Sequence, residues 1–187
     1  MAIIGLSKLH YAIMTTEDTA TTAPVYETPK RLIGINSVSV SPENDTATLY
    51  GDNMALDTKT STRERTITLE VARLPLEDQA ALLGYTYDSS TKKMSVNGDA
   101  TAPNVAIMYE EDTDEGKVWY KCYYKGKFSP SSEDANTRGD SLEYGLHSIE
   151  GTFVARLDNK RVYDVKEADA TDTTTAASWY ASVGGGA

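Results

Sequence analysis

The chain has 187 residues, of which 40% are hydrophobic and 25% charged, and its formal net charge is −10. This length and composition are typical of one globular domain that can bury a sizeable core. The strong acidity argues against a protein that holds nucleic acid or an anionic membrane by charge attraction, because its summed field repels phosphate.

Cysteine content and hydropathy bear on where the chain folds. Cys122 is the single cysteine, so an intrachain disulfide is excluded, and its place in a strand pattern predicts a buried apolar side chain. Lys8 and His10 interrupt the apolar N-terminus, which disfavours a secretory signal. No stretch approaches the roughly 18 apolar residues of a membrane span. We therefore expect folding in a reducing cytoplasm and no membrane insertion.

The first fifty residues predict strands joined by an extended arm. Leu6–Met14 alternates loosely and predicts a first strand. Residues 15–30 are rich in Thr and contain two prolines, which favours an extended arm over a core element. Ile33–Ser41 alternates Val with Ser and predicts a half-buried strand. Residues 42–44 then predict a turn, and Thr46–Tyr50 a further short strand.

The next segment predicts a long loop, a strand and a helix. Residues 51–65 are polar without apolar periodicity, and a loop this long is usually functional or mobile. Thr66–Val71 alternates cleanly and predicts a half-buried strand. Leu76–Leu83 has a proline before it, acids in its first turn and a glycine after it, which are start and stop signals of a helix. Leu76 is expected on its packed stripe.

The second half of the chain predicts a β-meander followed by a polar tail. In chain order we expect a minor hairpin closed at Asn97–Gly98, strands at 105–110 and 117–128 joined by a turn at 112–116, a loop at 129–139, and strands at 142–156 and 162–165. The whole pattern predicts a mainly β fold, a sandwich or closed barrel with one flanking helix. Residues 1–165 are assigned to this β domain and residues 166–187 to a flexible C-terminal arm.

No pattern in the sequence predicts catalysis, a cofactor or a metal site. His10 and His147 are isolated, and no metalloprotease or paired-cysteine motif is present. The acidic run at residues 110–115 suggests calcium, since Asp112 and Asp114 are alternately spaced. The run lacks the later acidic ligand of a calcium loop, so a solvated hairpin tip is favoured.

The predicted strand at 117–128 has two distinct faces. One face carries Val118, Tyr120, Cys122 and Tyr124. The other face carries aromatic and basic side chains, namely Trp119, Lys121, Tyr123, Lys125 and Lys127. The second face is either exposed with scattered aromatics or a subunit contact in which lysines meet acids of a neighbour.

Three segments carry a family resemblance. They are GLSKLHYAIMTTED, LEVARLPLEDQAALLGYTYD and YKCYYKGKFSPSSEDANTRGDSLEYGLHSIEGTFVAR, in this order along the chain. They resemble the major tail protein of long-tailed, non-contractile phages of Gram-positive bacteria. The similarity extends from about Gly5 to Arg156.

The resemblance implies a tail-tube-type β-sandwich or barrel with one flanking α-helix, extended arms and a long loop, similar to the type VI secretion tube protein. It implies a structural virion protein, not an enzyme, that stacks as hexameric rings into the tube through which genomic DNA is ejected. The implied partners are further copies of the chain and the tape-measure, tail-terminator and distal tail proteins. DNA would pass without specific binding, and assembly would take place in the host cytoplasm.

The resemblance also suggests roles for particular residues. The candidate subunit contacts are Asn53, Asp57, Lys59, Arg63, Trp119, Lys121, Tyr123 and Lys125. The candidate acids facing the lumen are Glu110, Glu111, Asp112 and Asp114. The alternative function is a β-sandwich binding module, such as an adhesin of a cell or virion surface.

Overall fold

The structure is a computed structural model that describes residues 2–52, 54–130 and 145–186. Asn53, the side chain of Arg63 and most of the loop predicted at 129–139 fall outside the described residues. The same holds for the start of the strand predicted at 142–156.

The described chain forms eleven strands, two α-helices and a short 3₁₀ helix. The strands are β1 (Ile3–Thr16), β2 (Val25–Tyr26), β3 (Lys30–Arg31), β4 (Ile35–Gly51), β5 (Met54–Val71), β6 (Thr86–Asp88), β7 (Lys93–Ser95), β8 (Val105–Thr113), β9 (Lys117–Ser129), β10 (His147–Val154) and β11 (Tyr163–Asp169). The helices are α1 (Leu76–Leu83), α2 (Thr173–Ala181) and the 3₁₀ helix Val183–Gly185. The predicted mainly β fold, a sandwich with a flanking helix, is confirmed.

Strand β9 divides the main sheet into the two layers of the sandwich. The path through the sheet is β2-β1-β8-β9-β10-β5-β4, with β3 also paired to β1. The first part of β9 pairs with β11 and its last residues pair with β10, on the same side of the strand. One layer is therefore β1, β8, β9 and β11, and the other is β10, β5 and β4.

The main core lies between these layers and beneath α1. It is built from alternate residues of β1, β5, β8, β9 and β10, joined by Leu82 and Leu83 of the helix. Two glycines allow close packing there, because Gly126 lies opposite Phe153 and Gly151 opposite Phe128. A Cβ on either glycine would come within 3.0 Å of the facing ring. The two rings meet edge to face, with centroids 5.8 Å apart.

A second core covers the other face of β1, β8 and β9. Val118, Tyr120, Cys122 and Tyr124 are buried together there beneath Trp179 of α2, so the predicted shared face of β9 is confirmed. The prediction that the cysteine is a buried apolar residue is also confirmed, and burial raises the pKa of its thiol.

Helix α1 has the predicted boundaries, but its buried face differs in one respect. Gly84 ends the helix in the left-handed conformation and donates its N–H to the Ala80 carbonyl. Leu76, expected on the packed stripe, is 47% exposed. Asp78 is buried instead, because its carboxylate accepts a hydrogen bond from the Tyr11 hydroxyl at 2.7 Å and pairs with Lys30 at 2.7 Å.

The turn predicted at 42–44 and the loop predicted at 51–65 are wrong. β4 runs through Pro42, which faces Arg65 across the hairpin, and β5 begins at Met54. Proline is compatible with β4 because this is an edge strand, paired with β5 on one side within the described residues. Residues 51–65 thus form most of one strand of a long hairpin.

Two further elements differ from the sequence prediction. The minor hairpin is β6–β7, closed by residues 89–92 and not by Asn97–Gly98. The Asp88 carboxylate fixes this turn by accepting hydrogen bonds from Ser90 and Thr91. The tail predicted as a flexible arm contains the end of β11 and α2, while the division of the chain at residue 165 stays a prediction.

None of the helices in the described part of the chain is long and apolar enough to cross a bilayer.

Candidate assembly surfaces

The outer part of the β4–β5 hairpin projects as an arm, which we define as residues 44–62. Its two strands pair with each other from Asn44 and Thr62 to Gly51 and Met54. Every described residue of the arm except the half-buried Thr48 is exposed. Eight paired residues per strand correspond to a length of about 26 Å. The arm is therefore a two-stranded ribbon with water on both faces.

Threonines stabilise the arm in place of a core. The hydroxyl pairs Thr46–Thr60 and Thr48–Thr58 are each 3.4 Å apart, and Thr62 donates to Asn44 at 2.6 Å. β-Branched side chains favour extended backbone, and cross-strand threonine pairs add modest stability. A two-stranded ribbon is marginally stable alone, so the arm depends on its continuation into the sandwich.

The end of the arm carries large apolar side chains, which we call the apolar tip. Leu49, Tyr50, Met54 and Leu56 are 62%, 71%, 65% and 63% exposed. Clustered exposed apolar groups of this kind mark interaction surfaces. Sequence reasoning missed these residues. A signal for an interaction surface was present in the sequence, because residues 49–56 contain four large apolar side chains in an otherwise polar segment.

The arm contains several of the predicted contact residues. Asp57 lies opposite Leu49 and Lys59 opposite Ala47, so both side chains flank the apolar tip and are exposed. Asn53 and the side chain of Arg63 lie outside the described residues. The role of these four residues in subunit contact stays a prediction.

The predicted contact residues of β9 have partners within their own chain. The Lys121 ammonium lies 2.7 Å from Glu111, and Trp119 donates its ring N–H to Glu167 at 2.9 Å. Lys125 pairs with the buried Asp18 of the segment after β1.

Tyr123 is buried in the main core between Tyr109 and Tyr163. The lysines of this face therefore meet acids of the same chain, and their contact with a neighbouring copy stays a prediction.

The acidic run is largely a strand and not a solvated tip. Glu110 and Glu111 belong to β8 and are buried, paired with Lys8 at 3.0 Å and with Lys121. β1 pairs along β8 as far as Thr113, so both glutamates lie within a paired part of the sheet and not in a free turn. Asp114 accepts a hydrogen bond from the Ala2 N–H at 2.8 Å. Asp112 is half-buried in β8, facing Gly5 of β1.

The described residues hold no cluster of three or more His, Cys, Asp or Glu side chains that could bind a metal ion. Among the longer strands of the same part of the chain, β4 pairs with β5 alone and β11 with β9 alone, so each has an open edge. Open edges carry unpaired N–H and C=O groups that can pair with another chain.

The chain has an exposed arm with an apolar end, attached to a sandwich with open strand edges. These are features of a structural β protein suited to assembly. A family model described as phage tail tube protein matches residues 1–144, and the chain belongs to this family. It is therefore a structural protein of the phage virion, a major tail protein located in the tail. Tail tube proteins generally assemble with copies of themselves and with other tail proteins into tubes. No curated protein matches the chain.

Proposed function

We propose that this chain polymerises as stacked hexameric rings into the tail tube, and that the tube conducts the phage genome during ejection. Family membership supports the tube, and the arm supports the stacking of one ring on the next. The ring size of six follows the family resemblance of the sequence.

The observation that carries the proposal is the apolar tip, whose four large side chains are mostly exposed in the described part of the chain. Full burial of a large apolar side chain contributes roughly 1.5–3 kcal/mol, so four such residues supply several kcal/mol for each arm. The arm reaches about 26 Å from the sandwich, which places the tip well away from its own core and within reach of another copy. Docking of the tip on that copy removes its exposed apolar surface.

The open edge of β4 supports closure of each ring. The strip formed by β4, β5, β10 and the last residues of β9 is four strands wide. Six such strips with strands about 4.8 Å apart give a circumference of about 115 Å and a bore about 37 Å wide between backbones. That bore admits a DNA duplex, and ring closure pairs the open edge of β4 with a strand of the next copy.

The remaining parts of the proposal follow from charge and family. A chain with a net charge of −10 lets DNA pass without specific binding. The tape-measure, tail-terminator and distal tail proteins are the partners at the inside and ends of the tube. Assembly takes place in the cytoplasm of the infected host.

Shortening the arm tests the proposal. Replacing residues 44–63 by Asn-Gly joins Glu43 to Glu64, which face each other across the hairpin, by a two-residue turn. Negative-stain microscopy of the concentrated wild-type chain should show tubes of uniform width. The shortened chain should stay monomeric, with a circular dichroism spectrum that keeps the β-sheet signal of the sandwich. Wild-type monomers that bind a glycan would instead support the adhesin-like binding module. Tubes formed by the shortened chain would show that stacking of the rings does not require the arm.

A further inference from the structure

One face of the sandwich is covered with short polar side chains. It is the outward face of the four-stranded strip, opposite the buried Ile67, Leu69 and Val71. Cross-strand pairing places its residues in a regular grid. They are Ser37, Ser39, Ser41 and Glu43 of β4, Glu64, Thr66, Thr68 and Glu70 of β5, Ser148, Glu150, Thr152 and Val154 of β10, and Lys127 and Ser129 of β9. We call this surface the hydroxyl face.

The hydroxyl face is depleted of cations and of large apolar groups. The chain has 18 Lys and Arg residues, and Lys127 is the one that this grid contains. Four glutamates against this lysine give the face a formal charge of −3. Val154 is its one apolar residue, and it is half-buried. Elsewhere, the arm and the β11 edge expose large apolar residues such as Leu49, Tyr163 and Val165.

We infer that the hydroxyl face is the wall of the bore, the surface past which the polyanion moves. The inference rests on the proposed function. DNA binds to lysine- and arginine-rich surfaces by releasing counterions, and each phosphate contact strengthens the hold. A wall of hydrated hydroxyls with spaced carboxylates offers almost no such contact, so the duplex slides. Aromatic side chains, on which bases stack, are absent from the grid.

This assignment moves the lumen away from the acidic run of β8. Glu110 and Glu111 are buried in ion pairs and present little charge to a channel. The hydroxyl face, in contrast, lies on the strip whose open β4 edge can pair around the ring. Sheet closure and lumen lining therefore fall on the same four strands.

Thiol labelling of assembled tubes tests the inference. Cys122 is fully buried, so a cysteine introduced at an exposed position is the reactive thiol. Ser39→Cys and Thr152→Cys place it at exposed positions of the hydroxyl face. Gly98→Cys is the matched control, because a Cβ there meets nothing within 4 Å. Each variant is treated with a small maleimide and with a maleimide on a protein carrier too large for the bore, before and after assembly.

In tubes, the two face variants should keep their reaction with the small maleimide and lose at least tenfold in rate with the carrier. The control should react with the carrier at the same rate in both states. Carrier labelling of the face variants in tubes would put the face on the outside. Loss of reaction with both the small maleimide and the carrier would put the hydroxyl face in a subunit contact. Either result, obtained with a variant that still forms tubes, would overturn the inference. A wild-type chain that forms no tubes would overturn the proposed function and the inference with it.

Discussion

At the scale of single residues, the tightest packing is that of two glycines beneath phenylalanine rings. Gly126→Ala and Gly151→Ala each put a Cβ within 3.0 Å of a phenylalanine ring that is buried in the close-packed core. We expect each substitution to lower the free energy of unfolding by about 1–3 kcal/mol, measured by urea denaturation. Gly98→Ala should change it little, because its Cβ meets nothing within 4 Å. Equal effects at all three positions would contradict this account of the core.

Asp18 is the residue that fastens the segment after β1 to the rest of the chain. Its buried carboxylate accepts hydrogen bonds from the Lys125 ammonium and the Leu157 N–H. Burial alone would raise the pKa of this carboxyl, but the two hydrogen bonds outweigh it and the pKa is lowered from 3.8. The stabilisation is therefore complete well above pH 3.8 and is lost as the pH falls through the lowered pKa.

Asp18→Asn should lower the free energy of unfolding at pH 7 by about 3 kcal/mol, because Lys125 is left largely buried without its partner. The variant should also lose part of the acid sensitivity below pH 4. The double variant Asp18→Asn, Lys125→Met should recover part of the loss, since the unpaired charge is removed. Chemical denaturation at several pH values measures both effects. An Asp18→Asn variant as stable as the wild type at pH 7 would show that the pair contributes nothing.

At the scale of elements, the arm separates folding from assembly. Serine in place of Leu49, Tyr50, Met54 and Leu56 removes the apolar tip and keeps the length of the arm. We expect an unchanged free energy of unfolding, because these side chains are exposed, and a rise of about a hundredfold in the concentration needed for assembly, equivalent to about 2.7 kcal/mol. Sedimentation of the polymer measures this concentration. The control is the double variant Thr58→Ser, Thr60→Ser, which changes two exposed residues of β5 within the arm and outside the apolar tip. It should assemble as the wild type does.

The elements also show where sequence reasoning succeeds. The strand at Thr66–Val71 could be predicted because one of its faces is buried, and burial of one face produces the period-two pattern. The helix Leu76–Leu83 could be predicted because its start and stop signals are local. In both cases the information lies within a few adjacent residues.

The arm could not be predicted from the sequence, and α2 only in part, for physical reasons. Both faces of the arm are in water, so its sequence shows no alternation of apolar and polar residues. Threonine favours strands, but a segment rich in threonine has the polar composition of a loop. Asp172 caps the N-terminus of helix α2, because its carboxylate accepts hydrogen bonds from the N–H groups of Thr174 and Thr175. That cap was a usable signal. Its remaining stability comes from Trp179 packing on a distant sheet, which local sequence does not reveal.

The hydroxyl face was equally hidden in the sequence. Its residues are spread over four strands between Ser37 and Val154, and β-sheet register alone brings them into one grid. The acidic run at 110–115 attracted the lumen prediction because it is contiguous. In the structure much of the run belongs to a paired strand, and two of its glutamates are buried. Contiguity in sequence was thus a poor guide to charge at the surface.

At the scale of the whole molecule, a charge of −10 on each copy opposes assembly. Charges on neighbouring copies repel across about 30 Å at 0.01 M salt, but across only about 8 Å at 0.15 M. We therefore expect light scattering to show faster tube growth as salt rises over this range. Growth that slows with salt would mean that attraction between opposite charges, and not burial of apolar surface, drives the contact.

The central claim is that copies of this chain complete one another through the apolar tip of the arm. A cryo-electron microscopy reconstruction of tubes grown from the purified chain tests it most directly. The account predicts rings of six in which Leu49, Tyr50, Met54 and Leu56 are buried against a copy in the adjacent ring. Tubes in which these four side chains remain exposed to solvent would contradict it.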